Sequence, residues 1–372
     1  MRRLPILPFC LAAALAAGGA APAAAETLAV TAVGDIMTGT TWPEDFLPPG
    51  DGAGMLDALE DELSSGDIVF GNLEGPMLEG GTPAKCAKKK HAKGLCYEFR
   101  MAPRYAALLA DAGFNVLNVA NNHAGDFGPE GVESTVAVLD NAGIQAVGDG
   151  RIAVFEAGDR TIAVAGFSYT SEAPYSVLVP HLDRAREAIA ALKSAFDVVI
   201  VSFHGGAEGK DALHVCDAVE TFAKENRGNV VAFARAAVDA GADLVLGHGP
   251  HVPRAVELRR GKLIAYSLGN FLTYGGFNIR GPSGKSFILK VRLDLDTGDL
   301  VDGDIVPVEL VGRGLPVPDP SGAAVRLVRE LSAQDLGDAG APIDEAGHIA
   351  ARPPPGVSRR SSPVRGGAVS RR

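Results

Sequence analysis

The stretch NVVAFARAAVDAGADLVLGHGPH, residues 229–251, carries the plan of the chain in miniature. Apolar residues at helical spacing occupy 229–240, and Gly241 supplies the stop that commonly follows a helix. Leu244-Val245-Leu246 is an apolar strand, and Gly247-His248-Gly249-Pro250-His251 is a polar loop. The same unit recurs upstream. Residues 55–63 lead through Gly66 to Asp67-Ile68-Val69-Phe70, and residues 104–112 lead through Gly113 to Asn115-Val116-Leu117-Asn118-Val119. Residues 129–142 lead through Gly143 to Ile144-Gln145-Ala146-Val147, and residues 182–196 lead to Val198-Val199-Ile200-Val201. Helix–strand alternation implies a sheet with helices packed on its outer faces. Downstream the pattern changes. Strand-like runs at 254–258, 262–267, 286–295 and 299–309 are separated by turns such as Arg260-Gly261, which predicts antiparallel hairpins. An α/β front and an antiparallel back predict two sheets packed together and flanked by helices.

In open α/β sheets ligands collect at the carboxyl ends of strands, so the residues that follow each apolar run are the candidates for a site. They are Gly34-Asp35-Ile36-Met37, Gly71-Asn72-Leu73-Glu74, Ala120-Asn121-Asn122-His123, Ser202-Phe203-His204-Gly205-Gly206-Ala207-Glu208, Gly247-His248-Gly249-Pro250-His251 and Ser267-Leu268-Gly269-Asn270. Four of the eight His fall in these loops. Each residue alone has an ordinary structural role open to it: Asp and Asn after strands are common turn residues, and a single His is more often hydrogen-bonded structure. Six strand ends carrying such groups together form a borderline-hard donor set of imidazole, carboxylate and amide oxygen, without thiolate, suited to Zn, Mn or Fe.

The order of these motifs resembles the calcineurin-like metallophosphoesterase superfamily, and in detail its CapA branch of capsule or poly-γ-glutamate biosynthesis proteins. The resemblance covers roughly residues 28–275 and implies a four-layer α/β/β/α sandwich. It further implies one or two divalent metal ions held by Asp35, Asn122, His204, His248 and His251, with Glu74 expected as the carboxylate that bridges where the family's Asp is replaced. His123 matches the His that protonates the leaving group or contacts the developing oxyanion. Asn72, Asn121, Glu208 and Asn270 are expected to contact substrate or to orient these groups, with Glu208 holding His204. The chain departs from the phosphoesterase pattern in three places. Met37 stands where a His ligand is usual. Asn72 takes the position of a bridging Asp, with Glu74 the nearest carboxylate. Two residues, rather than one, separate His248 from His251.

The wider chain bounds the function. It has 372 residues, of which 47% are hydrophobic, enough for a sizeable core. Two Arg in residues 1–25 and six in 351–372, with no acid in either segment, leave 27 basic against 45 acidic residues between them. So acidic a body repels phosphate backbones, and no nucleic-acid partner is expected. Arg2 and Arg3, the apolar 4–21 and Ala23-Ala24-Ala25 read as an export signal cleaved after Ala25. Export to the periplasm or the cell exterior permits disulfides. Cys86 and Cys96 bracket a Lys-rich loop that a bridge between them would close; a zinc site is the competing reading, at a poor spacing. Cys216 is expected to be a small buried residue. The domain is expected to span 26–312, with a helix near 322–333 in an extension over 313–337 and a disordered, Pro/Arg/Ser-rich tail over 338–372. Gly281-Pro282-Ser283-Gly284-Lys285-Ser286 lacks the first Gly of a phosphate loop and reads as a hairpin turn. No Gly-x-Ser-x-Gly elbow, His-Glu-x-x-His helix or Gly-x-Gly-x-x-Gly loop occurs, so serine, thermolysin-type and dinucleotide chemistry lack support. Two functions remain. One is an exported metal-dependent hydrolase acting on an anionic cell-surface polymer or phosphoester. The other is a non-catalytic polymer-binding subunit that works with the membrane proteins of capsule synthesis.

Overall fold

A computed structural model describes residues 26–88 and 96–352. The expected export signal, the Lys-rich centre of the loop and the end of the tail lie outside these residues. The first sheet has nine strands. In its parallel part β1 (Thr27–Met37), β2 (Ile68–Leu73), β3 (Val116–Asn118) and β4 (Gln145–Val147) lie side by side, and β13 (Asn270–Thr273) pairs in parallel with the end of β1. On the edge of β1 away from β2, which β13 also occupies at its end, β14 (Lys285–Asp294) runs antiparallel and is followed by β15 (Leu300–Val311), which pairs antiparallel with both β16 (Leu315–Pro318) and β17 (His348–Ala350). The second sheet is built from β5 (Ile152–Ala157), β6 (Arg160–Ser168), β7 (Val198–His204), β10 (Leu244–His248), β11 (Val256–Arg259) and β12 (Lys262–Ala265), in the order β11-β12-β10-β7-β6-β5. A short hairpin, β8 (Thr221–Phe222) with β9 (Glu225–Asn226), stands apart.

Side-chain alternation explains the layers. Ile68 and Phe70 face one core and Val69 faces another; Val198 and Ile200 part from Val199 and Val201 in the same way, as do Leu244 and Leu246 from Val245. The shared core, with Leu28, Val30, Phe70, Val164, Ile200 and Leu246, lies between the sheets. Outside the first sheet, Leu63, Tyr105, Leu109 and Leu139 bring in α1 (Glu60–Leu63), α2 (Tyr105–Asp111) and α3 (Gly128–Asn141). Outside the second, Ala185, Ile189, Phe233 and Ala237 bring in α4 (Leu182–Ala195) and α5 (Val230–Asp239). The central strands are buried on both faces, which is why they read as unbroken apolar runs. The architecture is the four-layer α/β/β/α sandwich that the sequence predicts.

Several expectations are corrected. The fold does not end at 312, nor does disorder begin at 338: α6 (Ala323–Leu336) inserts Ala324, Val325 and Val328 into the inter-sheet core, and β17 buries Ile349 against it. The Gly/Pro-rich composition around β17 conceals a strand whose partner, β15, is remote in sequence. Gly281–Gly284 is a single 3-10 turn entering β14 rather than a hairpin turn, because the strand before it pairs with β1 instead. Cys216 is exposed; it lies in a polar segment where the neighbouring Val215 is drawn into the core in its place. The helix read over 55–63 is a 3-10 turn at Asp57–Leu59 followed by the single turn of α1. Among the described residues no helix is long and apolar enough to cross a membrane.

Cys86 and Cys96 form a disulfide across a separation of 10 residues, with Cα atoms 5.8 Å apart. Closing a loop of that length stabilises a fold by about 2–3 kcal/mol. Thiol titration of the denatured, unreduced chain starting at Glu26 is expected to find one free thiol, Cys216; three would refute the bridge.

Candidate metal centre

The carboxyl ends of both sheets converge on one rim. Register sets it: Asp35 on β1 stands beside Asn72 on β2 and Asn270 on β13, Asn72 beside Asn118 on β3, and His248 on β10 beside His204 on β7. The backbone approaches so closely here that a Cβ on Gly34 would lie 1.9 Å from the Gly269 carbonyl oxygen. At Gly249 the backbone has φ +109°, and a Cβ would lie 3.2 Å from His204 Nε2. His251 itself adopts φ 58°, a left-handed conformation that is costly for a residue with a side chain and clusters at functional sites.

Asp35, Glu74 and His204 are fully buried, and one ligand atom from each lies within 4.8 Å of the others. Glu74 Oε1 stands 3.7 Å from His204 Nε2 and 3.7 Å from His251 Nε2. His251 Nδ1 pairs with Asp35 Oδ2 at 2.9 Å and with Asn270 Oδ1 at 3.1 Å. His248 Nδ1 lies 3.5 Å from Asp35 Oδ1. Asn122 Oδ1, in the loop after β3, is buried and without a hydrogen-bond partner. Asn72 donates to Asp35 Oδ1 at 2.8 Å and lies 3.3 Å from His204 Nδ1, while its Oδ1 accepts from Asn118 and Asn121. The Asn72 amide is therefore committed to Asp35, Asn118 and Asn121, with His204 Nδ1 beside its nitrogen, and it braces the ligands instead of joining them.

The electrostatics fit a cation. Both Glu74 oxygens, His204 Nε2 and both His248 nitrogens are buried with no hydrogen-bond partner. Unsatisfied buried groups of this kind are rare in folded proteins, and their concentration at one point, from a His/carboxylate set, matches a metal ligand shell. Burial holds the Glu74 carboxyl well above the usual carboxylate range. It also keeps His204 well below the ordinary imidazole value, hence neutral and ligand-competent. Burial would raise Asp35, but the imidazoles of His248 and His251 hold it well below its usual value. For His251, burial works downward, yet the charges of Glu74, Asp35 and Glu208 push its pKa up to about 10.

His123 sits to one side of this group. Its Nδ1 lies 2.7 Å from Asp126 Oδ2, and its ring packs on Phe99 and Phe277, the latter also touching the His251 ring. Lys85 Nζ reaches 3.2 Å from both Asp126 Oδ1 and His123 Nδ1. Glu208 does not hold His204 as expected. Its Oε1 accepts from Arg227 at 2.6 Å and its Oε2 faces His251 Nε2 at 4.0 Å, because Arg227 is itself buried against the Tyr169 ring. Asn121 braces Asn72 and the Leu73 carbonyl, and Asn270 fixes His251. Sequence reasoning missed Asn118, Asp126, Lys85 and Arg227. Asn118, a polar residue inside an apolar run, and Asp126, three residues after His123, left a local signal; Lys85 and Arg227 left none.

A carboxyl whose folded-state pKa is raised opposes folding as pH climbs from its unfolded value towards its folded one. Glu74→Gln is therefore expected to raise the melting temperature of the metal-free protein near neutral pH. It should also abolish the stabilisation by divalent ions, which in the parent reaches about 2.7 kcal/mol at a hundredfold excess over Kd. Calorimetry with and without metal checks both; a variant still stabilised by metal would remove Glu74 from the ligand set.

The family model described as "Bacterial capsule synthesis protein PGA_cap" matches residues 29–274. The chain is 30% identical over 331 residues to a capsule biosynthesis protein CapA of Bacillus anthracis, covering 82% of this chain and 73% of that protein. It is 28% identical over 323 residues to a PGA biosynthesis protein CapA of Bacillus subtilis, covering 82% and 78%. A phosphatase from Mycoplasma pneumoniae superposes over 80% of this chain and 96% of its own at 14% identity, with a TM-score of 0.45. The matched span of the family model runs from β1 through β13 and takes in each strand-end motif of the rim, and the chain belongs to the bacterial capsule synthesis protein (PGA_cap) family.

Proposed function

We propose that the protein is an exported, metal-dependent hydrolase acting in the metabolism of a capsule, poly-γ-glutamate or another anionic cell-surface polymer. The observation that carries this reading is the buried, partnerless Glu74 carboxylate facing two imidazoles beside His123. Membership of a capsule synthesis family supports a polymer-related role. The export signal read at 1–25 and the Cys86–Cys96 bridge support an oxidising compartment.

Asp35, Glu74 and His204 would hold a divalent ion, with His248, His251 and Asn122 beside them. Such an ion, when bound, supplies positive charge at the scissile group and lowers the pKa of water. The remaining chemistry belongs to the chain's own side chains. Asp126 accepts from His123 Nδ1–H, which fixes the ring and leaves Nε2 free; burial favours the neutral ring, so Nε2 takes up a proton before it returns one to a leaving group. Phe99 and Phe277 keep water from the ring. Lys85 contributes an ammonium at this side of the site, suited to an anionic substrate.

The test is turnover of p-nitrophenyl phosphate and of poly-γ-glutamate by the metal-loaded protein, with and without chelator. Chelator-sensitive turnover of either is expected. His123→Ala should keep its metal and lose ~10²–10⁴-fold in kcat. Asp126→Asn should lower kcat with little change in KM and move the pH profile. If the loaded protein turns over neither class, the hydrolase reading fails and the polymer-binding subunit remains.

A further inference from the structure

We infer that the site takes a single divalent cation, held by Asp35, Glu74 and His204, and that Asn72 braces this one ion's ligands in place of bridging to a second. The inference rests on the metal-dependent reading above and narrows it.

Charge comes first. Asp35 and Glu74 together balance one divalent ion. Glu208 is the next carboxylate, but Arg227, which also pairs with Glu225, draws its Oε1 off the centre at 2.6 Å. A second ion in the same pocket would bury further positive charge without a counter-charge, an arrangement proteins avoid. Among the described residues no other trio of His, Cys, Asp or Glu side chains draws together in this way.

Bridging comes second. Two-metal sites hold their ions about 3.5–4 Å apart, close enough to need an anion between them. The residue of β2 in register with Asp35 is Asn72, a neutral amide. Its nitrogen lies against Asp35 Oδ1 and His204 Nδ1, so the positive end of the amide dipole faces the ligands. Its oxygen is occupied by Asn118 and Asn121 and offers no lone pair.

Donor supply comes third. Met37, two residues beyond Asp35, is fully buried in the outer apolar core and packs against Gly276, where a Cβ would meet its Cε at 1.9 Å. The end of β1 therefore contributes Asp35 alone. His251 commits Nδ1 to Asp35 and Asn270, which leaves only Nε2. The His248 nitrogens and Asn122 Oδ1 are unpaired, but none of them is an anion. As neutral donors they bring no counter-charge for a second ion and no anion to bridge to it.

The experiment is metal stoichiometry, independent of activity. The purified protein is stripped with chelator and titrated with Mn²⁺. Bound metal is measured after gel filtration, and the electron paramagnetic resonance spectrum is recorded. One ion per chain with the signal of an isolated Mn²⁺ is expected, absent from both His204→Ala and the isosteric Glu74→Gln, with circular dichroism checking that each is folded. Asn72→Ala should keep a stoichiometry of one while losing ~10–100-fold in affinity, the usual effect of removing a group that orients a ligand. Two ions per chain, or a spin-coupled spectrum, would overturn the inference and leave the metal-dependent reading standing. One ion retained by both ligand variants would also overturn it. No bound ion would overturn the metal-dependent reading itself, and this inference with it.

Discussion

Glu74 carries a carboxylate with no exposed surface and no hydrogen-bond donor, and the rest of the rim is arranged around that cost. An isolated buried carboxylate is among the most destabilising groups a protein can hold. Asp35, a second buried acid close by, is relieved by Asn72 and His251. Glu74 receives no such relief from the chain, only imidazole nitrogens at distances too long for a hydrogen bond. Such a group persists because the packing around it leaves it no other position.

That packing makes the rim rigid. β1, β2, β3, β7 and β10 are sealed on both faces, so their carboxyl ends cannot shift without disturbing two hydrophobic layers. Close backbone approaches at Gly34 and Gly249 draw the loops together, and the left-handed backbone at His251 turns its ring back towards Asp35. The amide ladder Asn118–Asn72–Asp35 then runs across three adjacent strands of one sheet and touches His204 of the other. Groups from different layers are thereby held in one frame.

The two flanks of the centre are built differently. On one, Arg227 is stacked on Tyr169 and paired with Glu208 and Glu225, so a buried cation is matched by acids and Glu208 is drawn off the centre. On the other, His123, Asp126 and Lys85 form a compact acid–base group under two Phe rings. Lys85 directly precedes the bridged Cys86, so the disulfide anchors the segment that carries the ammonium. The site thus joins a hard ligand cluster to a proton-carrying side and a cationic edge.

Periodicity and composition alone determined the layers, the change from parallel to antiparallel strands along the chain, and the strand ends that bear Asp35, Glu74, His204, His248 and His251. These are local properties: an apolar run buried on both faces, and a polar loop where that run must stop. Tertiary structure alone decided which polar groups are engaged and which are left free. Asn72 and Glu74 lie two residues apart and look alike as donors in sequence, yet strand register gives Asn72 four partners and Glu74 none. Glu208 went to Arg227 instead of His204 because Tyr169, directly after β6, stacks the guanidinium beside it. Lys85 reached His123 across 38 residues of chain for the same kind of reason. Hydrogen bonds and ion pairs between remote segments depend on where the layers bring those segments, and no local pattern encodes that.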